Sequence, residues 1–155
     1  MYTAEDIINA KGMDIIYTEP ESTVADALKI MLENKIGAIV IKDGENIVGI
    51  WTERDLMRNV VTEGFFSKTS KIRDVMSTDL KMAECNETIF ELKDKFLGKR
   101  IRHLFIQKDG KVIGLLSTGD IIKTSLNEKT KELEDLHAIV KFDYYEDWKF
   151  SHKKK

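Results

Sequence analysis

The chain is short of several things. It has one cysteine, Cys85, among 155 residues, so no internal disulfide can form. That usage fits a reducing compartment. It has one proline and nine glycines in a composition that is 42% hydrophobic, which argues against disorder. It has no excess of one charge: 25 Lys and Arg against 27 Asp and Glu give 25 − 27 = −2. Nothing global therefore draws it to nucleic acid or to an anionic membrane surface. No apolar run approaches the roughly 18 residues of a membrane span. The opening MYTAEDIINA carries acids and lacks the basic start and apolar core of a secretion signal. The expectation is one compact cytoplasmic domain.

What is present is a phrase written twice. GIWTERD (Gly49–Asp55) returns as GLLSTGD (Gly114–Asp120), at an offset of 120 − 55 = 65. The same offset lays TVADALKIMLENKIGAIVI (Thr23–Ile41) on TIFELKDKFLGKRIRHLFI (Thr88–Ile106). In the first copy Thr23 opens a helix whose apolar stripe is Val24, Ala27, Leu28, Met31 and Leu32. The second offers Thr88, Ile89, Leu92, Phe96 and Leu97. IGAIVI and IRHLFI then read as buried strands, with turns at Asp43-Gly44 and Asp109-Gly110. The turn glycines are one residue out of register, so the hairpins should differ slightly. A second helix follows each hairpin, with Leu56, Met57, Val60 and Val61 facing inward in one copy and Ile121, Ile122 and Leu126 in the other. Short strands at Asp14–Tyr17 and Asp79–Met82 precede each unit.

The predicted fold is α+β: two β-α-β-β-α repeats, 4–62 and 71–126, joined by 63–70 and followed by an extension, 127–155. A unit of about 60 residues is marginal alone. Packing two sheets face to face, with approximate two-fold symmetry, solves that problem.

The phrase has two readings. Thr52 and Ser117 stand where an N-cap oxygen would accept an orphan helix N–H, with Asp55 and Asp120 three residues on. Capping leaves unexplained why both copies use Asp, since Glu reaches back further, and why Gly leads in. The other reading makes the helix N-terminus a phosphate site and the Asp an acceptor for a ribose 2′,3′-diol. Gly49 and Gly114 would let the backbone come close.

With DVMSTDLKM (Asp74–Met82) and RHLFI (Arg102–Ile106), these features resemble a tandem pair of cystathionine β-synthase (CBS) domains, often called a Bateman module, over about residues 4–126. The resemblance implies a non-enzymatic regulatory module that holds AMP, ADP or ATP, or less readily S-adenosylmethionine or NAD, in two clefts. In the first cleft Asp55 and Thr52 would hold ribose, Arg54 phosphate, and Ile50 the base, against Lys81, Ile101 and Arg102. In the second, Asp120 and Ser117 would hold ribose and Leu115 the base, against Ile16, Ile36 and Gly37. Arg102 and His103 stand at family phosphate positions, where the first repeat has Gly37 and Ala38. They could instead be solvated strand-end residues. Gly119 replaces Arg54 in the second copy, so phosphate affinity should be unequal. The resemblance also implies a homodimer and a regulated partner on another chain. The alternative is a structural or oligomerisation module with no nucleotide.

Enzyme readings are poor. His103, His137 and His152 are scattered, without metal-ligand spacing, and Cys85 has no base placed beside it. No metal, membrane or nucleic-acid role is expected. The extension carries five of the 13 aromatics, Phe142, Tyr144, Tyr145, Trp148 and Phe150, suited to packing on the domain or to a dimer contact.

Overall fold

A computed structural model describes the backbone of residues 1–151 and the side chains of residues 1–139. The side chains of the aromatic cluster in the extension lie outside those described.

Two three-stranded sheets carry the two repeats. In the first, β1 (Tyr17–Thr18) runs parallel to β2 (Ala38–Asp43), which pairs antiparallel with β3 (Asn46–Thr52). In the second, β4 (Met82–Glu84), β5 (His103–Lys108) and β6 (Lys111–Ser117) repeat the order. The short first strands lie a few residues later than their sequence implies. Residues 14–16 run beside β2 and give it one bond, from Val40 N–H to the Ile16 carbonyl.

The hairpins keep the 65-residue offset strand for strand, down to an irregularity after Ile41 and after Ile106. Only the turns differ. Gly44 alone has positive φ in the first (60°), whereas Asp109 (50°) and Gly110 (75°) both do in the second. A Gly-first turn and an Asp-Gly turn make those respective demands.

Helix α2 (Val24–Asn34) lies over the first sheet, capped by Thr23 on Asp26 N–H. Helix α5 (Ile89–Gly98) lies over the second, capped by Thr88 and Glu91. They bury Val24, Ala27 and Met31, and Ile89, Leu92 and Phe96. The predicted stripes are one row too wide. Leu32 is 77% and Leu97 79% exposed, because each is turned about 100° from the buried residue before it.

Helices α3 (Glu53–Asn59) and α6 (Thr118–Ser151) follow the hairpins. Leu56 packs on the core and Ile121 is buried. Met57, Val60, Val61, Ile122 and Leu126, expected inward, are exposed. Met57, Ile122 and Leu126 lie on rows of their helices turned away from the core, and Val60 and Val61 lie beyond the last residue of α3. Helix α6 continues through residue 127 without a break.

Two further helices were not foreseen, and they exchange places. Helix α1 (Ala4–Lys11) puts Ala4 and Ile7 into the core of the second repeat. Helix α4 (Ile72–Val75) puts Ile72 into the core of the first, with Val75 and Met76 packed against it. Backbone bonds fix both: Ala4 N–H to Glu87 O (2.8 Å), and Ile72 N–H to Ser22 O (2.8 Å). The connecting segment also serves the first repeat, where the Ser70 and Ser67 carbonyls accept from Val24 and Ala25 at the start of α2.

Each sheet therefore has a helix-covered face and a second face. Ile39, Ile41 and Trp51 line the covered side in the first repeat; Leu104, Ile106 and Leu116 do so in the second. The alternate residues Ala38, Val40 and Phe105 are also buried but belong to neither core. Through them the sheets face one another.

Candidate functional site

Each phrase ends a strand and begins a helix, and each is first of all a cap. Asp55 Oδ2 accepts from Thr52 N–H (2.9 Å) and from the Thr52 hydroxyl (3.1 Å). Asp120 Oδ2 does the same at Ser117 (2.8 and 3.0 Å). Thr3 and Asp6 repeat the arrangement at α1, where the phrase is absent. Asp thus reaches the N-cap as Glu91 does, and capping accommodates either acid.

The lead-in glycines also have a structural cause different from close approach to a ligand. A Cβ on Gly49 would lie 2.4 Å from Met76 Sδ, and one on Gly114 2.4 Å from Ile8 Cδ1. Both glycines make room for the exchanged helices.

Beside the first phrase is a cavity of about 340 Å³. From the first repeat it is lined by Ile50, Thr52, Arg54, Asp55 and Arg58. From the second come Lys81, Arg100, Ile101, Arg102 and His103, with Ser77, Asp79 and Phe105. The seven residues assigned to this side from the sequence converge here, and His103 joins them. Arg58 and Arg100 are additions. Arg58 lies one turn beyond Arg54 and so shares its face; the signal was available. It sits 3.5 Å from Asp55 Oδ1, and Lys81 is paired with Asp79 at 2.7 Å. Among the described residues Arg54, Arg100 and Arg102 form no ion pair. The cavity is therefore a cationic pocket with an apolar wall, of the size in which small ligands sit, about 300–1,000 Å³.

The second side differs. Ile16, Ile36 and Leu115 do come together, with Ala38, Val40 and Lys11, but around only about 60 Å³. That is room for roughly two waters. Lys11 fills the rest: its Nζ donates to Asp120 Oδ2 (2.9 Å) and to the Leu115 carbonyl (3.0 Å). Gly37 does not line this space. Its open side faces the Glu53 carboxylate, 3.1 Å from where a Cβ would be, and its carbonyl accepts from Glu53 N–H (3.0 Å). No sequence signal marked Lys11, because α1 was not recognised as a helix aimed at the other repeat. A larger recess, about 690 Å³, lies between the hairpin tips and holds neither phrase.

His103 is half-buried, pairing with Ser117 across the β5–β6 ladder. Burial holds its imidazole below the ordinary pKa, and Lys11 and Arg102 push the same way against Asp120 and Asp55. Burial raises the Asp120 carboxyl, but Lys11 and the Ser117 donors outweigh it and hold that group below its usual range. The site thus rests with a neutral imidazole and a charged carboxylate near neutral pH.

Among the described residues no helix is long and apolar enough to cross a membrane. A CBS-domain-containing protein of Arabidopsis thaliana, named as mitochondrial, is 32% identical over 151 residues, covering 92% of this chain and 73% of that protein. The crystal structure of a CBS-domain-containing protein from Agrobacterium tumefaciens superposes with a TM-score of 0.75 at 29% identity, covering 80% of this chain and 99% of that one. An inosine-5′-monophosphate dehydrogenase of Methanocaldococcus jannaschii is 29% identical over 112 residues, which span 71% of this chain but 21% of the enzyme. That likeness is confined to a fraction of the enzyme and brings no catalytic activity with it. The CBS domain itself matches residues 3–62 and 72–127. The chain belongs to the CBS-domain family, as a tandem pair of such domains.

Proposed function

We propose that the protein is a non-catalytic sensor that binds an adenosine nucleotide in the first cleft and responds by a change of shape or association. The observation that carries this reading is the cavity of about 340 Å³ that sets Asp55 and Thr52 beside Arg54, Arg100 and Arg102, drawn from both repeats and without an ion pair among the described residues. In this reading the Asp55 carboxylate and Thr52 hydroxyl take the ribose, Ile50 and Ile101 sandwich the base, and Arg54, Arg100, Arg102 and His103 take the phosphates. Guanidinium pairs with phosphate through two parallel bonds. Three such groups favour ATP and ADP over AMP. A ligand bridging residues of both repeats would tighten one against the other, which is how occupancy becomes a signal.

The test is thermal melting with ATP, ADP, AMP and adenosine. ATP at a hundred times its dissociation constant raises stability by about 2.7 kcal/mol, and Asp55→Ala or Arg102→Ala abolishes that rise. No shift with any of the four, nor with S-adenosylmethionine or NAD, removes the sensor reading. The alternative, a purely structural or oligomerisation module, draws on the finding that both phrase aspartates are already used as caps.

The reading includes a homodimer. The outward apolar residues fall at matching positions of the two repeats: Leu32 and Leu97, Met57 and Ile122, Val61 and Leu126. Two equivalent greasy faces on one molecule suit a symmetric partner. A CBS-CP12 protein from cyanobacteria, similar in fold at a TM-score of 0.66, is itself hexameric. The regulated protein would be a further chain meeting the dimer.

A further inference from the structure

We propose that Lys11 keeps the second cleft shut to nucleotide, so that each chain takes one nucleotide, in the first cleft. This rests on the nucleotide reading above. Lys11 ends α1, and its ammonium bonds Asp120 Oδ2 at 2.9 Å and Leu115 O at 3.0 Å. It stands on the carboxylate that a ribose diol would need and on the strand edge that a base would cover. The pair is mostly shielded, its side chains 28% and 22% exposed. A neutral diol competes poorly against such a charge-assisted bond.

In the first cleft the described partner of Asp55 is Arg58, 3.5 Å away and 77% exposed, and the offset shows why no lysine stands there. Position 11 + 65 = 76 is Met76, which follows the four-residue α4 and presses on Gly49. Helix α1 has eight residues, and its last turn carries the lysine to the cleft. Nor can α1 withdraw easily. Ala4 and Ile7 are buried in the second core, and Glu5 pairs with Lys108 at 2.7 Å. Clearing the cleft requires Lys11 itself to leave Asp120.

Isothermal titration of the full chain with ATP tests this, using wild type, Lys11→Ala, Asp55→Ala and the double variant. The expected result is one ATP per chain in wild type, none in Asp55→Ala, two in Lys11→Ala and one in the double variant. Two ATP in wild type overturns the proposal. One in both wild type and Lys11→Ala, with none in the double variant, overturns the role of Lys11 and leaves the first site standing. No binding to any of the four overturns both. Lys11→Met keeps the buried stem and replaces Lys11→Ala should the latter fail to fold. A second readout needs no nucleotide. Acetylation of Lys11, followed by mass spectrometry, should be about tenfold slower in wild type than in Asp120→Asn, as a bond to a charged group implies. Equal rates overturn the proposal.

Discussion

At the scale of single residues, one side chain serves two ends. Asp55 closes a capping box through Oδ2 and faces the first cavity. Asp55→Ala should therefore cost about 1 kcal/mol of stability through the lost capping-box bond to Thr52 N–H, besides any loss of ligand, and denaturant titration without nucleotide isolates that part. The glycines are tested separately. At Gly114 a new methyl meets Ile8 Cδ1 at 2.4 Å and Cγ2 at 2.9 Å. Gly114→Ala should lose about 1–3 kcal/mol through overpacking, read as a lower melting temperature. The residues of the first cavity were legible because a repeated motif and a family likeness point at the same positions. The reason for the glycines was hidden, because it lies in side chains distant in sequence, Met76 for Gly49 and Ile8 for Gly114. Lys11 was hidden likewise: a lysine near a chain start carries no mark of the carboxylate it meets.

At the scale of elements, the strands and hairpins were readable from apolar runs and turn residues. The breadth of each helix's buried face was not. A stripe in sequence says that a helix has an apolar side; how much of that side is covered depends on where the helix sits on its sheet. Helices α1 and α4 escaped because one is short and uncapped by a side chain, although Thr3 and Asp6 spell a cap for the other. The start of β5 carries a pH response. His103 stays neutral in the fold because its pKa is lowered, so an unfolding chain protonates first as pH falls. Its contribution is intact above the ordinary imidazole range and is lost as pH drops through that range toward the folded value. Asp120, also lowered, follows at more acid pH by the same sign. Denaturation midpoints across pH should show two declines, and His103→Gln should remove the upper one. Phosphate beside His103 would reverse its shift, so ATP binding should tighten from about pH 8 to pH 6.

At the scale of the whole molecule, the paired apolar positions make a prediction about association. Val61 and Leu126, 83% and 61% exposed, occupy equivalent places in the two repeats. Changing both to Glu should turn a dimer into a monomer in sedimentation velocity, with nucleotide affinity per chain retained in the first cleft. Loss of affinity along with the dimer would mean that the partner copy helps to build the site.

The exchanged helices have a consequence for what half the chain can do. Cut between the repeats, either fragment would carry a helix that fits the other and a bare groove where its own complement belongs. Ile7 and Ile72 sit at matching positions, 72 − 7 = 65, and each fills the core of the other's repeat. A lone half would then mend itself by trading that helix with a second copy. The intact pair of repeats is, in this sense, self-swapped, its two members joined by one stretch of backbone.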